Sequence, residues 1–302
     1  MYRHARHRAT LEVPVEFRGV GVHSGNDVVM RVCPLQSDDG ILFKRCDVPV
    51  GKQFIALAPE LVLDPVMCTR VVNEHGISVA VVEHLLAALR ICKITDAVVE
   101  LDGDEVPVMD GSASVFVDSF LRIGLKHKRT TVPALTIPDE VVIRSRGGEI
   151  LVRPSKTCKI TVELAHERLR SVIGTNNSYS FRMDDDLTDV ARARTFGWLS
   201  DYDMVRARGL ARGASEDNTI VILEDGTIKN ESGLRHEKEI VMHKCLDLIG
   251  DLCVLGYDIV GEINAVNPSH VLNNLFVREI SNNFATDRID GINYESVASL
   301  PA

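Results

Sequence analysis

Glu239-Ile-Val-Met-His243-Lys244-Cys-Leu-Asp247-Leu-Ile-Gly-Asp251 places Glu239, His243, Asp247 and Asp251 four residues apart. At 3.6 residues per turn these side chains form one stripe along a helix, with Ile240, Leu246 and Ile249 on the other face. A helix is predicted over residues 235–255. A histidine and a carboxylate at i and i+4 can share one metal ion. The same stripe would also serve as a solvated acidic face, and the spacing alone leaves both readings open.

Working outward, the strand expected at residues 259–266 leads to Asn267-Pro-Ser-His270, where a last helix starts near Ser269. His270 there is a general acid or a polar turn residue. Upstream, residues 81–92 (VVEHLLAALRIC) read as a buried helix carrying Glu83-His84. A carboxylate beside an imidazole among aliphatics is costly unless both have partners. A metal would supply them, and so would a boundary position facing water.

Between these helices the pattern is of short strands. Residues 9–17 and 27–32 alternate polar and apolar around a glycine-punctuated turn at 19–25. A strand is expected at 97–101, and Ser112 is placed to cap a helix running through Ile123. Residues 126–131 form a polar, basic break followed by Pro133 and Pro138. A domain boundary is expected there, giving an N-terminal α+β domain of residues 1–128 and a C-terminal α+β domain of 129–302 with an insert at about 196–229. Strands follow at 141–143, 149–153 and 159–164, and Asp225-Gly226 is a hairpin signal. Both halves run strands, histidine-bearing helix, strand, helix. The fold class is therefore α+β with a duplicated architecture, although no sequence repeat is visible.

Bulk properties exclude several functions. The net charge is 34 − 43 = −9, so no nucleic-acid partner is expected. No run of about 18 apolar residues offers a membrane span, and the N-terminal stretch lacks the apolar segment of a secretory signal. The seven cysteines are scattered, never as CxxC, which reads as reduced thiols of a cytoplasmic protein. No GxSxG elbow, P-loop or dinucleotide fingerprint occurs. Ala193-Arg-Thr195-Phe196-Gly offers a hydroxyl before a turn, a weak signal by itself.

Six segments together resemble the UDP-3-O-acyl-N-acetylglucosamine deacetylase (LpxC) family of lipid A synthesis: GVGVHSG (19–25), VEHLLAAL (82–89), VPVMDGSASVFV (106–117), ARTFGW (193–198), HKCLDLIGDL (243–252) and SHVLNN (269–274). They occur in the family's order over nearly the whole chain. The resemblance implies two similar α+β domains that sandwich helices between antiparallel sheets, with the active site between them. It implies one zinc ion held by His84, His243 and Asp247, leaving a fourth position for water. It implies Glu83 as general base, His270 as general acid held by Asp251, and Thr195 and Lys244 as stabilisers of the oxyanion. Phe196, Leu199, Tyr202, Arg206, Arg212, Glu216 and Cys68 fall on the substrate side, and a monomer is expected.

Departures from the family pattern also fall on the substrate side. Glu216 and Tyr202 stand where apolar residues are expected beside a fatty acyl chain, and Gly213-Ala214-Ser215 adds a methyl to a Gly-Gly-Ser element. Cations expected near Glu149 and within residues 266–269 are missing, with Arg144, Arg146 or Lys156 as possible replacements. Val81 replaces a threonine. These changes favour a muramyl-peptide amide as substrate of the zinc hydrolase. The alternative is the authentic acylated UDP-sugar. A zinc-stabilised, non-enzymatic binding module is a third reading.

Overall fold

The computed structural model describes residues 6–63 and 67–284. Two five-stranded sheets dominate it. The first contains β1 (Val15–Val20), β2 (Asp27–Pro34), β3 (Ile41–Arg45), β4 (Phe54–Ala56) and β5 (Ala97–Leu101), in the order β1-β2-β5-β3-β4. The second contains β6 (Val141–Ser145), β7 (Gly148–Arg153), β8 (Lys159–Glu163), β9 (Ser178–Arg182) and β10 (Glu262–Val266), in the order β6-β7-β10-β8-β9. The two orders are the same, so the duplicated architecture holds in three dimensions without a repeat in the letters. The sheets are mixed rather than antiparallel. In each, the last strand enters the centre parallel to the third, β5 on β3 and β10 on β8. A parallel neighbour requires a crossover, and in each half a helix lies in that connection.

Those helices are α1 (Glu83–Ile91) in the first half and α3 (Glu239–Leu252) in the second; α2 (Ser114–Ile123) and α4 (His270–Phe284) follow the central strands. They lie between the sheets. One continuous core joins Phe17, Met30 and Val99 of the first sheet to Leu85 and Leu86 of α1. It continues through Leu246 and Ile249 of α3 to Ile150, Val152 and Ile263 of the second sheet. A helix covered on both sides is apolar on most of its circumference, which is why α1 reads Leu-Leu-Ala-Ala-Leu.

Three expectations shift. The polar stretch 126–131 is a strand rather than a break: Leu125–Thr131 pairs antiparallel with His7–Leu11. We propose that the domain boundary falls just after it, at Val132-Pro133. The strand expected at 259–266 is divided at Gly261, where the chain leaves a short parallel pairing with Ala134–Thr136 and enters the second sheet as β10. The helix expected from 235 begins at Glu239, because the Glu239 carboxylate accepts from the Arg235 backbone N–H and closes the preceding turn. The Asp225-Gly226 turn forms as expected, with Gly226 at φ +86°.

The two halves approach closely at Gly250 of α3. A Cβ there would lie 2.0 Å from the Glu83 carbonyl oxygen of α1. Overpacking of this kind costs roughly 1–3 kcal/mol. Gly250→Ala is expected to lower the urea unfolding midpoint correspondingly; an unchanged midpoint would show that the helices are not held at this distance.

Candidate metal and acid–base site

The Gly250 contact sets the first turn of α1 against the last turns of α3. Glu83 and His84 come from α1, His243, Asp247 and Asp251 from α3, and His270 opens α4. Each is 8% exposed or less, so the acidic stripe of α3 is not a solvated face. Entry into α1 is strained: Val81, β-branched, has φ +58°, a conformation that persists only where its surroundings dictate it.

His84, His243 and Asp247 bring three ligand atoms within 4.8 Å of one another. Asp247 Oδ1 lies 3.3 Å from His243 Nε2 and 3.6 Å from His84 Nε2. The edge of a coordination tetrahedron with bonds of about 2.0–2.1 Å is roughly 3.3 Å long. Asp247 Oδ1 is buried without a hydrogen-bond partner among the described residues. Such an atom is costly unless something positive meets it. His243 Nδ1 lies 3.0 Å from the Ala193 carbonyl. Donating there leaves the lone pair on Nε2, the arrangement of a metal-binding histidine. Burial pushes the His243 imidazole down to about 3, so it stays neutral. The donor set, its spacing and its unmet oxygen fit a tetrahedral metal ion.

Beside these three residues a buried carboxylate and a buried imidazole face each other. Glu83 Oε2 accepts the Thr69 backbone N–H at 3.0 Å, which leaves Oε1 facing His270 Nε2 at 3.7 Å. Burial raises the Glu83 carboxyl above its ordinary range. His270 Nδ1 donates to Asp251 Oδ2 at 2.9 Å. Burial would lower the imidazolium, but Asp251 and Glu83 overcome that and raise it to about 9. Lys244 Nζ reaches Asp247 Oδ2 at 2.7 Å. Burial disfavours its charge, and Asp247 more than restores it.

Thr195 is fixed through its backbone, its N–H donating to Gly111 O and its carbonyl accepting from Ile220 N–H, both at 2.8 Å. The Phe196 ring stands 6.0 Å from that of His243 and 5.5 Å from Lys244 Nζ. Glu239, the first member of the stripe, lies outside this group. It forms a buried ion pair with Arg194, Nε to Oε1 2.8 Å.

The remaining candidates lie farther out. Leu199 is 44% exposed and Tyr202 half-buried, and Arg206 lies 5.5 Å from the Tyr202 ring. Glu216 pairs with Lys229 in an exposed position. Arg212 is exposed, its backbone N–H donating to His23 O. Next to Ala214, the retained Gly213 needs to be glycine, because a Cβ there would meet Gly21 O at 2.3 Å. The glycine turn at 19–25 binds an anion of its own chain: the His23 and Ser24 backbone N–H groups donate to Glu105 at 2.7 and 2.8 Å. Cys68 is buried with Ala80 and Val81 and offers a substrate little surface; burial pushes its thiol up to about 12.

Sequence reasoning missed Thr69 and Asn273. The Thr69 hydroxyl donates to Asp251 Oδ1, and Asn273 Nδ2 to Asp251 Oδ2 at 2.8 Å. Asn273 follows His270 by three residues and shares its helical face, a signal present in the sequence. Thr69 carries no such spacing.

Comparison with known proteins gives the family. The family model described as UDP-3-O-acyl N-acetylglycosamine deacetylase (LpxC) matches residues 8–282. The chain is similar to the UDP-3-O-acyl-N-acetylglucosamine deacetylases of Shewanella violacea (38% identical over 90% of this chain and 88% of the relative) and Haemophilus influenzae (35% over 90% and 88%). That of Shewanella denitrificans is 35% identical over 97% of this chain and 94% of its own. With the family model spanning nearly all the described residues, the chain belongs to the LpxC family of deacetylases, which are amide hydrolases.

Proposed function

We propose that this chain is a zinc-dependent deacetylase that hydrolyses the acetamide of a UDP-3-O-acyl-N-acetylglucosamine. The observation that carries the reading is the convergence of three buried ligand atoms with a carboxylate and a histidine poised as base and acid. His84, His243 and Asp247 would hold the zinc, which supplies Lewis acidity toward water and the amide carbonyl.

The protein's own groups do the proton work. Glu83 Oε1 faces His270 while Oε2 is tied to Thr69, so Oε1 takes the proton of the attacking water. His270, charged and held by Asp251, gives a proton to the departing amine through Nε2. Lys244 and Thr195 are assigned as stabilisers of the charge that develops on the carbonyl oxygen. A purely structural zinc site would need neither acid nor base, which disfavours a non-enzymatic module.

The muramyl-peptide reading loses its main support. It rested on polar groups in the acyl passage and on cations missing from the diphosphate side; in the passage, Glu216 is paired with Lys229 and Arg206 lies over Tyr202. The exposed Leu199 and Met204 offer apolar surface on the same segment, and each further CH₂ buried there contributes about 0.8 kcal/mol. The relatives' shared name points the same way. Among the described residues no helix is long and apolar enough to cross a membrane.

Four measurements test this. Purified protein is expected to bind about one zinc per chain, and His84→Ala or Asp247→Ala to lose most of it; full retention in both variants rejects the ligand set. Glu83→Gln and His270→Ala are each expected to slow turnover by roughly 10²–10⁴ with zinc retained. The rate should be bell-shaped in pH: it falls on the acid side as Glu83 takes up a proton, and on the basic side as His270 loses one near 9. A His270→Ala profile that keeps the basic limb contradicts the assignment. Product mass spectrometry should show loss of acetyl from the acylated UDP-sugar, and hydrolysis of muramyl peptides alone would reverse the substrate choice.

A further inference from the structure

Thr69 touches every member of the proposed acid–base pair. It is 2% exposed and immediately precedes the short strand Arg70–Val72. Its backbone is tied to the entry of α1 on both sides: the N–H donates to Glu83 Oε2 at 3.0 Å, and the carbonyl accepts from Val82 N–H at 3.3 Å. Its hydroxyl crosses to the other half of the molecule, donating to Asp251 Oδ1 and lying 3.3 Å from His270 Nδ1. Valine has nearly the same shape, so packing alone does not call for a hydroxyl here. A buried hydroxyl is costly unless it is paired, and this one is paired with a carboxylate, the stronger kind of hydrogen bond.

Asp251 thereby receives three donors. Thr69 occupies Oδ1, while Asn273 Nδ2 and His270 Nδ1 share Oδ2 at 2.8 and 2.9 Å. With only the last two, the carboxylate would be free to turn about its terminal torsion, which is soft, and the imidazole would follow it. The hydroxyl removes that freedom. Because the same residue holds Glu83 by its main chain, the separation of Glu83 Oε1 from His270 Nε2, 3.7 Å, is set through one residue.

Resting on the acid–base reading above, we infer that Thr69 is a positioning residue that fixes the Asp251–His270 pair relative to Glu83 across the seam between the two halves. The test is a double-mutant cycle on the zinc-loaded enzyme. Thr69→Val is expected to lower kcat about 10–100-fold, the loss of one charge-assisted hydrogen bond, with KM little changed and zinc retained. Thr69→Ser is expected to recover most of the rate. In a His270→Ala background, Thr69→Val is expected to add no further loss, because the group it positions is gone. Equal losses in both backgrounds, a near-wild-type kcat for Thr69→Val, or failure of serine to rescue would overturn the inference. If Thr69→Val does not fold, Thr69→Ala carries the same cycle. A His270→Ala enzyme as fast as wild type would instead overturn the acid–base reading itself, which separates the two failures.

Discussion

The absence of a side chain at Gly250 lets α3 lie against the Glu83 backbone of α1, and the site follows from that contact. Glu83 and His84 are at the start of one helix; His243, Asp247 and Asp251 are on the facing helix. Any larger residue at 250 would move the two sets apart. His84 Nε2 and Asp247 Oδ1 are only 3.6 Å apart although they belong to different halves, so displacement by a methyl group exceeds the roughly 0.5 Å that such a constellation tolerates. Sheets, crossovers and core hold two helices in register, and the chemistry occupies the seam between them.

Charge is arranged in two separate buried systems along α3. At its start, Glu239 is matched by Arg194 and the Arg235 backbone N–H, and takes no part in the cleft. Toward its end, Asp247 and Asp251 are matched by Lys244, His270, Thr69 and Asn273, and one oxygen of Asp247 is left unmet. A saturated network rigidifies, whereas a buried, unmet carboxylate oxygen beside two imidazoles fits a cation. This difference separates a structural carboxylate from a candidate ligand on one helical stripe.

That separation also marks how far the sequence could be read. Period and spacing revealed the helices, the stripe and the order of strands, and the family resemblance assigned the ligands. Spacing could not tell Glu239 from Asp247, because both lie on the stripe and only their neighbours from elsewhere in the chain distinguish them. The strand Leu125–Thr131 was unreadable for a related reason. It is polar because its side chains are largely exposed, and its pairing partner lies more than a hundred residues away. Glu216 misled in the opposite direction: a charge in an expected apolar passage is informative only when its partner, here Lys229, is known. Thr69 reaches the site through the fold alone.

The arrangement at the seam predicts the metal's surroundings as well as its presence. Zinc K-edge X-ray absorption on the loaded protein reads them directly. Two imidazoles and one carboxylate from His84, His243 and Asp247 should give only nitrogen and oxygen neighbours at about 2.0–2.2 Å, with the outer-shell scattering of two histidine rings. A sulfur neighbour at about 2.3 Å, which Cys68 or another thiol would provide, or scattering from a single imidazole, would contradict this account of the site.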